Sequence, residues 1–380
     1  MKTIIKNNPW SITSFLENKA YNFNKENILT QLPEKFIDEA ILTISSWDNY
    51  APTPLIELNK LNDELKFKNI YYKDEDKRFD LKSFKALGGA FAVYKIASEK
   101  KNITVSTATA GNHGRSVAWG AQRLGLKCKI FISEFVSESR AEAMRGLDAE
   151  VIRVKGNYDN SLKECIKQSK ENKWEIVQDV SWEDYKEVPK LIMAGYTIMV
   201  KEILDQINSN SITHVFLQAG VGGMAAAMIA GFAKLSKNIP KFITVEPENA
   251  DCVFQSIKNN KPTTVDIKKE TVMGGMSCGD VSSIAWDILK NSTNCCLTIP
   301  DEAISTTVAL LAEKHLSDEK IIAGECAVPG IIALIGSFNN KEYLDKLGLN
   351  EQSNVLLFGC EGLTDNAMYQ KLLSDGLQKI

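Results

Sequence analysis

The chain has 380 residues, 44% of them apolar and 24% charged, with 45 Lys plus Arg against 48 Asp plus Glu and a net charge of -3. That is the composition of a folded globular chain, long enough for two domains or one large one, and it excludes disorder. The even charge argues against nucleic acid as a main partner, and no window reaches the roughly 18 consecutive apolar residues of a membrane span.

Residues 1 to about 50 are polar and aromatic without a clear period, and read as a segment that wraps a surface. The start, Met1-Lys2-Thr3-Ile4-Ile5-Lys6, lacks the apolar core of a secretion signal. From there short apolar runs alternate with amphipathic stretches. Ile70 to Lys73 reads as a strand and Phe84 to Lys100 as a helix. Ile103 to Ser106 is a strand running into the turn Ala110-Gly111-Asn112. His113 to Leu124 is a helix that stops at Gly125. Strands follow at Lys127 to Ser133, Val151 to Val154 and Trp174 to Gln178, with a helix at Tyr158 to Lys170. A long helical pattern covers Val188 to Ile207. Thr213 to Gln218 is a strand ending in glycines, Met224 to Leu235 a helix, and Lys241 to Val245 a strand. The last third reads as helices near 250–259, 281–290, 301–316, 326–337 and 364–377, with a strand at Asn354 to Phe358. Strands alternating with helices predict an α/β fold with mostly parallel sheets.

Cysteines stand at 128, 165, 252, 278, 295, 296, 326 and 360, with no CxxC spacing, and the three histidines (His113, His214, His315) are scattered. No metal site is expected. Adjacent Cys295 and Cys296 are poorly placed to pair with each other. All eight read as thiols in a reducing compartment, the cytoplasm.

Three loops share one pattern, an apolar strand, a turn of small or polar residues, then a helix, and ligands of open α/β sheets bind at such places. Gln218-Ala219-Gly220-Val221-Gly222-Gly223-Met224 follows the strand Val215-Phe216-Leu217. Its glycines let several N–H groups converge at a helix start, which holds a phosphate. The pattern is neither a P-loop nor a dinucleotide fingerprint. Without a ligand it is simply a tight turn. In Ser83-Phe84-Lys85-Ala86-Leu87-Gly88-Gly89, a helix start and apolar neighbours both disfavour the charged amine of Lys85. That suits a nucleophile or Schiff-base former, against the alternative of a solvated surface lysine. Thr107 to Gly114 crowds hydroxyls, an amide and an imidazole at a turn; exposed N–H groups there take a carboxylate, or else Thr109 or Asn112 merely caps the helix.

Together the loops are the parts of a pyridoxal-phosphate site. Ser83-Phe84-Lys85, then Thr107 to Gly114, then the glycine loop, in that order, resemble the fold-type II pyridoxal-phosphate enzymes, the tryptophan synthase β-like family. The chain is more closely similar to one branch, the diaminopropionate ammonia-lyases. That resemblance runs through Arg78-Phe79, Val117-Ala118-Trp119, Val177-Gln178-Asp179, Ser181 to Tyr185, Met193 to Tyr196, Val245-Glu246-Pro247, Gly275 to Asp280 and Glu361 to Asp365.

The resemblance implies two α/β domains with parallel-rich twisted sheets and the cofactor in the cleft. Residues 1–89 with 200–380 form the large pyridoxal-phosphate domain, and 90–199 a smaller inserted one. It implies that Lys85 carries the cofactor and moves the α-proton, with Asp179 assisting; the alternative for Asp179 is only a cap or an ion-pair partner. Gly220, Val221, Gly222, Gly223 and Met224 hold the phosphate, and Asn112 bonds the ring oxygen. Thr109, Ala110, Gly111 and His113 receive the substrate carboxylate. Cys360 faces the pyridine nitrogen, or is only a small buried residue. Cys278 and Asp280 line the pocket or pack a loop against it. The implied reaction is β-elimination of 2,3-diaminopropionate to pyruvate and ammonia by a homodimer. The alternatives are a serine or threonine dehydratase-like reaction and a β-replacement synthase. One departure stands out: the lyases carry an aspartate directly before Gly-Asn-His, and this chain has Ala110. Loss of that carboxylate leads us to expect action on the L-isomer only.

Overall fold

A strand buried on both faces has to be apolar throughout, and the runs at Val215-Phe216-Leu217 and Val355-Leu356-Leu357-Phe358 meet that condition. The computed structural model describes residues 10–109, 111–207 and 211–380, and within them the chain divides into two compact units. One comprises Met1–Gln31, Pro52–Lys77 and Met199–Ile380; the other comprises Leu32–Ala51 and Arg78–Ile198. The expected split at 90 and 199 differs from this in two places. The smaller unit begins at Arg78, so it takes in Lys85, and it includes residues 32–51.

The strands in chain order are β1 (Ser14–Glu17), β2 (Leu55–Glu57), β3 (Asn69–Asp74), β4 (Thr104–Ala108), β5 (Lys127–Ser133), β6 (Ala149–Val154), β7 (Glu175–Ile176), β8 (His214–Gln218), β9 (Lys241–Pro247), β10 (Cys295–Ile299) and β11 (Asn354–Gly359). In the larger unit seven of them form one sheet in the order β1-β10-β9-β8-β11-β3-β2. The five inner strands are parallel, and β1 and β2 close the edges antiparallel. In the smaller unit the order β6-β5-β4-β7 is parallel throughout. The helix Gly223–Leu235 that leaves β8 is buried from Met224 to Ala233, as a helix apolar on all sides must be.

Several elements differ from their sequence-based expectation. The long helix at 188–207 is two helices, Glu187–Tyr196 and Ile198–Gln206. Thr197 interrupts them, its Oγ1 donating to the Ala194 carbonyl at 2.6 Å. The unpredicted β10 fills the position beside β9, and β1 from the supposed wrapping segment pairs with it. A helix at Glu138–Arg145 was also not foreseen. None of the eight cysteines is in a disulfide, and all but Cys278 are buried. Burial pushes the thiols of Cys128 and Cys295 up to about 12 and that of Cys165 to about 11. Among the described residues no helix is long and apolar enough to cross a membrane.

The larger unit also buries a charge network. Lys73 on β3 donates to Glu202 Oε2 at 2.6 Å and to the Thr53 carbonyl at 2.8 Å, with both charged side chains essentially inaccessible. Thr53 Oγ1 donates onward to Glu75 at 2.6 Å. Removing one partner of a buried pair costs about 3–5 kcal/mol, because the other charge stays buried. Lys73→Met is therefore expected to lower unfolding free energy by about that amount, and Lys73→Met with Glu202→Leu to recover most of it, read from urea denaturation midpoints.

Candidate active site

Lys85 is the first residue of the helix Lys85–Glu99, and its backbone N–H is accepted by Ser83 Oγ at 3.3 Å. Glycine lets this helix lie unusually close to its neighbours. A Cβ on Gly88 would come within 2.5 Å of the Ile192 carbonyl, and one on Gly195 within 2.8 Å of Gly88 Cα. The lysine is thereby held against the helix Glu187–Tyr196, with its Nζ 5.4 Å from the Phe84 ring centroid and 5.7 Å from that of Tyr196.

Lys85 Nζ donates to Asp179 Oδ2 at 2.5 Å. The two side chains form an ion pair, with Lys85 25% and Asp179 15% exposed. Asp179 follows β7 and is fixed by its neighbours. The Gln178 side chain accepts from Thr107 Oγ1 and Ala108 N and donates to the Ala108 carbonyl, clamping the end of β4 where the 109–113 turn begins. The backbone N–H of Gln178 donates to Tyr185 Oη, and that hydroxyl donates to the Ile176 carbonyl. Trp182 stacks on Tyr185 with centroids 4.2 Å apart. Burial pushes the Asp179 carboxyl up, but a positive charge on the His113 ring, when it is protonated, and the Lys85 ammonium outweigh it and hold the carboxyl well below the usual range.

The loop Thr109 to His113 belongs to the same unit. Thr109 N donates to the Phe131 carbonyl, and Thr109 Oγ1 accepts from Gly111 N at 3.3 Å. Asn112 opens the helix Asn112–Arg123. Ala110 lies outside the described residues. His113 turns inward, its ring meeting the Val177 carbonyl rather than the open side of the loop. Gln178, Tyr185, Phe84 and Tyr196 thus join the site, although residue types alone assigned them no role. The aromatic pair three and six residues after Asp179 is the signal that could have marked that segment.

The glycine loop and Cys360 belong to the larger unit. Gly222 takes φ +89°, a left-handed turn that feeds the helix Gly223–Leu235, and a Cβ on it would sit 2.8 Å from Leu289 Cδ1. Val221 is fixed by its carbonyl, which accepts from Ser282 N at 2.9 Å. At Gly223 a Cβ would meet nothing within 4 Å. The first-turn N–H groups of a helix have no intrahelical partner, so an open space there fits a phosphate. Cys360 is buried after β11 and donates its thiol to the Cys326 carbonyl at 3.1 Å. Glu325, Cys326 and Glu361 bring potential ligand atoms within 4.8 Å of one another. Glu361 already accepts from Cys326 N, and burial pushes the Cys326 thiol well up.

The family described as Pyridoxal-phosphate dependent enzyme matches residues 47–358. The chain belongs to this family. Diaminopropionate ammonia-lyase of Escherichia coli strain K12 is 32% identical over 385 aligned residues, covering 95% of this chain and 96% of that protein. Its counterpart in Salmonella typhimurium strain LT2 is 34% identical over 360, covering 86% and 89%. A crystal structure of the E. coli enzyme in complex with D-serine aligns with a TM-score of 0.89 at 30% identity, covering 96% of this chain and 98% of that one. Membership in the diaminopropionate ammonia-lyase branch of fold type II follows, with pyridoxal phosphate as the cofactor.

Alanine at a left-handed position costs about 1–2 kcal/mol, and about 1.4 kcal/mol is tenfold in affinity. Gly222→Ala is accordingly expected to weaken cofactor uptake about tenfold, measured by absorbance titration with pyridoxal phosphate, and to lower the melting temperature.

Proposed function

We propose that this chain catalyses the β-elimination of 2,3-diaminopropionate, the L-isomer, to pyruvate and ammonia. The observation that carries the reading is the Lys85–Asp179 hydrogen bond at 2.5 Å, which gives a proton a direct path between the two groups in a lyase-branch chain. Elimination of an amine needs both, one to take the α-proton and one to protonate the departing nitrogen.

In this reading Gly220, Val221, Gly222, Gly223 and Met224 hold the cofactor phosphate through backbone N–H groups. Asn112 bonds its ring oxygen, and Cys360 offers a neutral group to its ring nitrogen. Bound pyridoxal phosphate supplies an electron sink for the pair left at the substrate α-carbon. Lys85 carries the cofactor and takes the α-proton, and Asp179 delivers a proton to the leaving amine. The loop of Thr109, Ala110, Gly111 and His113 receives the substrate carboxylate, with the Thr109 N–H already committed to the Phe131 carbonyl. The E. coli relative was crystallised with D-serine; Ala110, standing where such lyases carry an aspartate, is the reason we assign this chain the L-isomer alone. The reading includes a homodimer, from the family resemblance, and a cytoplasmic setting, from eight cysteines without a disulfide.

Purified protein with pyridoxal phosphate, and no second nucleophile, is expected to release pyruvate from L-2,3-diaminopropionate, with the D-isomer at least about tenfold slower. Lys85→Ala is expected to reduce the rate by roughly 10²–10⁴. Equal rates on the two isomers would overturn the stereochemical part. Absence of pyruvate from either would overturn the elimination.

A further inference from the structure

The His113 ring is buried at the start of the helix Asn112–Arg123. One nitrogen, Nε2, lies 2.8 Å from the Val177 carbonyl. A carbonyl only accepts, so Nε2 carries the hydrogen. In a neutral ring Nδ1 is then bare. It is buried, makes no hydrogen bond, and lies 3.8 Å from Asp179 Oδ2.

A bare nitrogen and a carboxylate oxygen thus face each other with no proton shared. In the present arrangement Lys85 compensates, since its ammonium donates to that same Oδ2. One added proton would turn the repulsive contact into an N–H···O bond. The ring holds back from taking it because burial lowers its basicity and Lys85 repels a second positive charge, against the pull of Asp179. The other titratable groups around Asp179 are Tyr185 and Tyr196, both held protonated by burial. When Lys85 gives up its positive charge to chemistry, Asp179 loses its nearby cation and His113 becomes the group that can replace it.

We propose that His113 is a positioning residue that stores, on Nδ1, the proton Asp179 will give to the leaving amine. The inference rests on the elimination reading. The proton that Lys85 takes from the α-carbon reaches Oδ2 along the existing Nζ···Oδ2 bond. The Oδ2–H bond then breaks as Nδ1–H forms, giving carboxylate and imidazolium, with Nε2–H still on the Val177 carbonyl. On return Nδ1–H breaks and Oδ2–H re-forms. That acid protonates the leaving nitrogen while the Cβ–N bond breaks with both its electrons going to nitrogen, and ammonia departs.

The test uses His113→Gln, whose amide can still donate to Val177 but cannot store a proton. Two substrates are compared, L-2,3-diaminopropionate and β-chloro-L-alanine, whose chloride leaves without a proton. The ratio of kcat on the first to kcat on the second is expected to fall at least about tenfold in the variant. Wild-type kcat on diaminopropionate is expected to show an acid limb at a pH below the ordinary histidine range, where Nδ1 is already protonated, and the variant to lack it. A second readout needs no turnover. In the full-length protein without cofactor, the imidazole NMR titration that disappears in His113→Gln is expected to move to lower pH in Asp179→Asn. Equal losses on both substrates, or a titration that Asp179→Asn leaves in place, would overturn the proposal. Wild-type protein that eliminates from neither substrate would instead overturn the elimination reading, and the NMR titration would still decide whether His113 and Asp179 are coupled.

Discussion

The approach of Lys85 to Asp179 depends on helices packed closer than side chains permit. Gly88 and Gly195 remove the Cβ atoms that would hold the helix Lys85–Glu99 off the helix Glu187–Tyr196, and Gly89 does the same toward Ser116, whose Oγ would lie 2.5 Å from an added Cβ. Protein interiors transmit small volume changes with little relaxation. A methyl at any of these contacts would therefore displace the lysine from its hydrogen bond to Asp179. Gln178 secures the other end, since the residue before Asp179 is tied to both strand and turn.

The electrostatics follow from that packing. Asp179 is half-buried yet ionised because the Lys85 ammonium donates to it at 2.5 Å, with His113 Nδ1 3.8 Å away. The larger unit works by other means. Its loop presents no cation of its own among Gly220 to Met224, and offers backbone N–H groups at a helix start.

Much of this was legible in the sequence where local rules suffice. Strand β8, its glycine turn and the apolar helix after it form one continuous pattern, and Lys85 stands out by its glycines. Other features depend on distant partners. Strand β10 is five residues, all buried, and a short apolar run does not distinguish strand from helix. Strand β1 exists through its register with β10, Ser14 opposite Thr298, across nearly the whole chain. The break at Thr197 carries no Gly or Pro, and apolar periodicity runs straight through it. The resemblance grouped His113 with the carboxylate loop. Its inward ring depends on Val177, 64 residues away, which no local pattern reveals.

The burial of the thiols has a practical side. Seven of the eight sulfurs are shut away from solvent, so an alkylating reagent meets the folded protein almost as though it held a single cysteine, Cys278. That sulfur lies 3.1 Å from where a side chain on Gly220 would begin. The rate at which Cys278 takes up a label is thus a built-in gauge of access to the glycine loop, readable without engineering any other cysteine away.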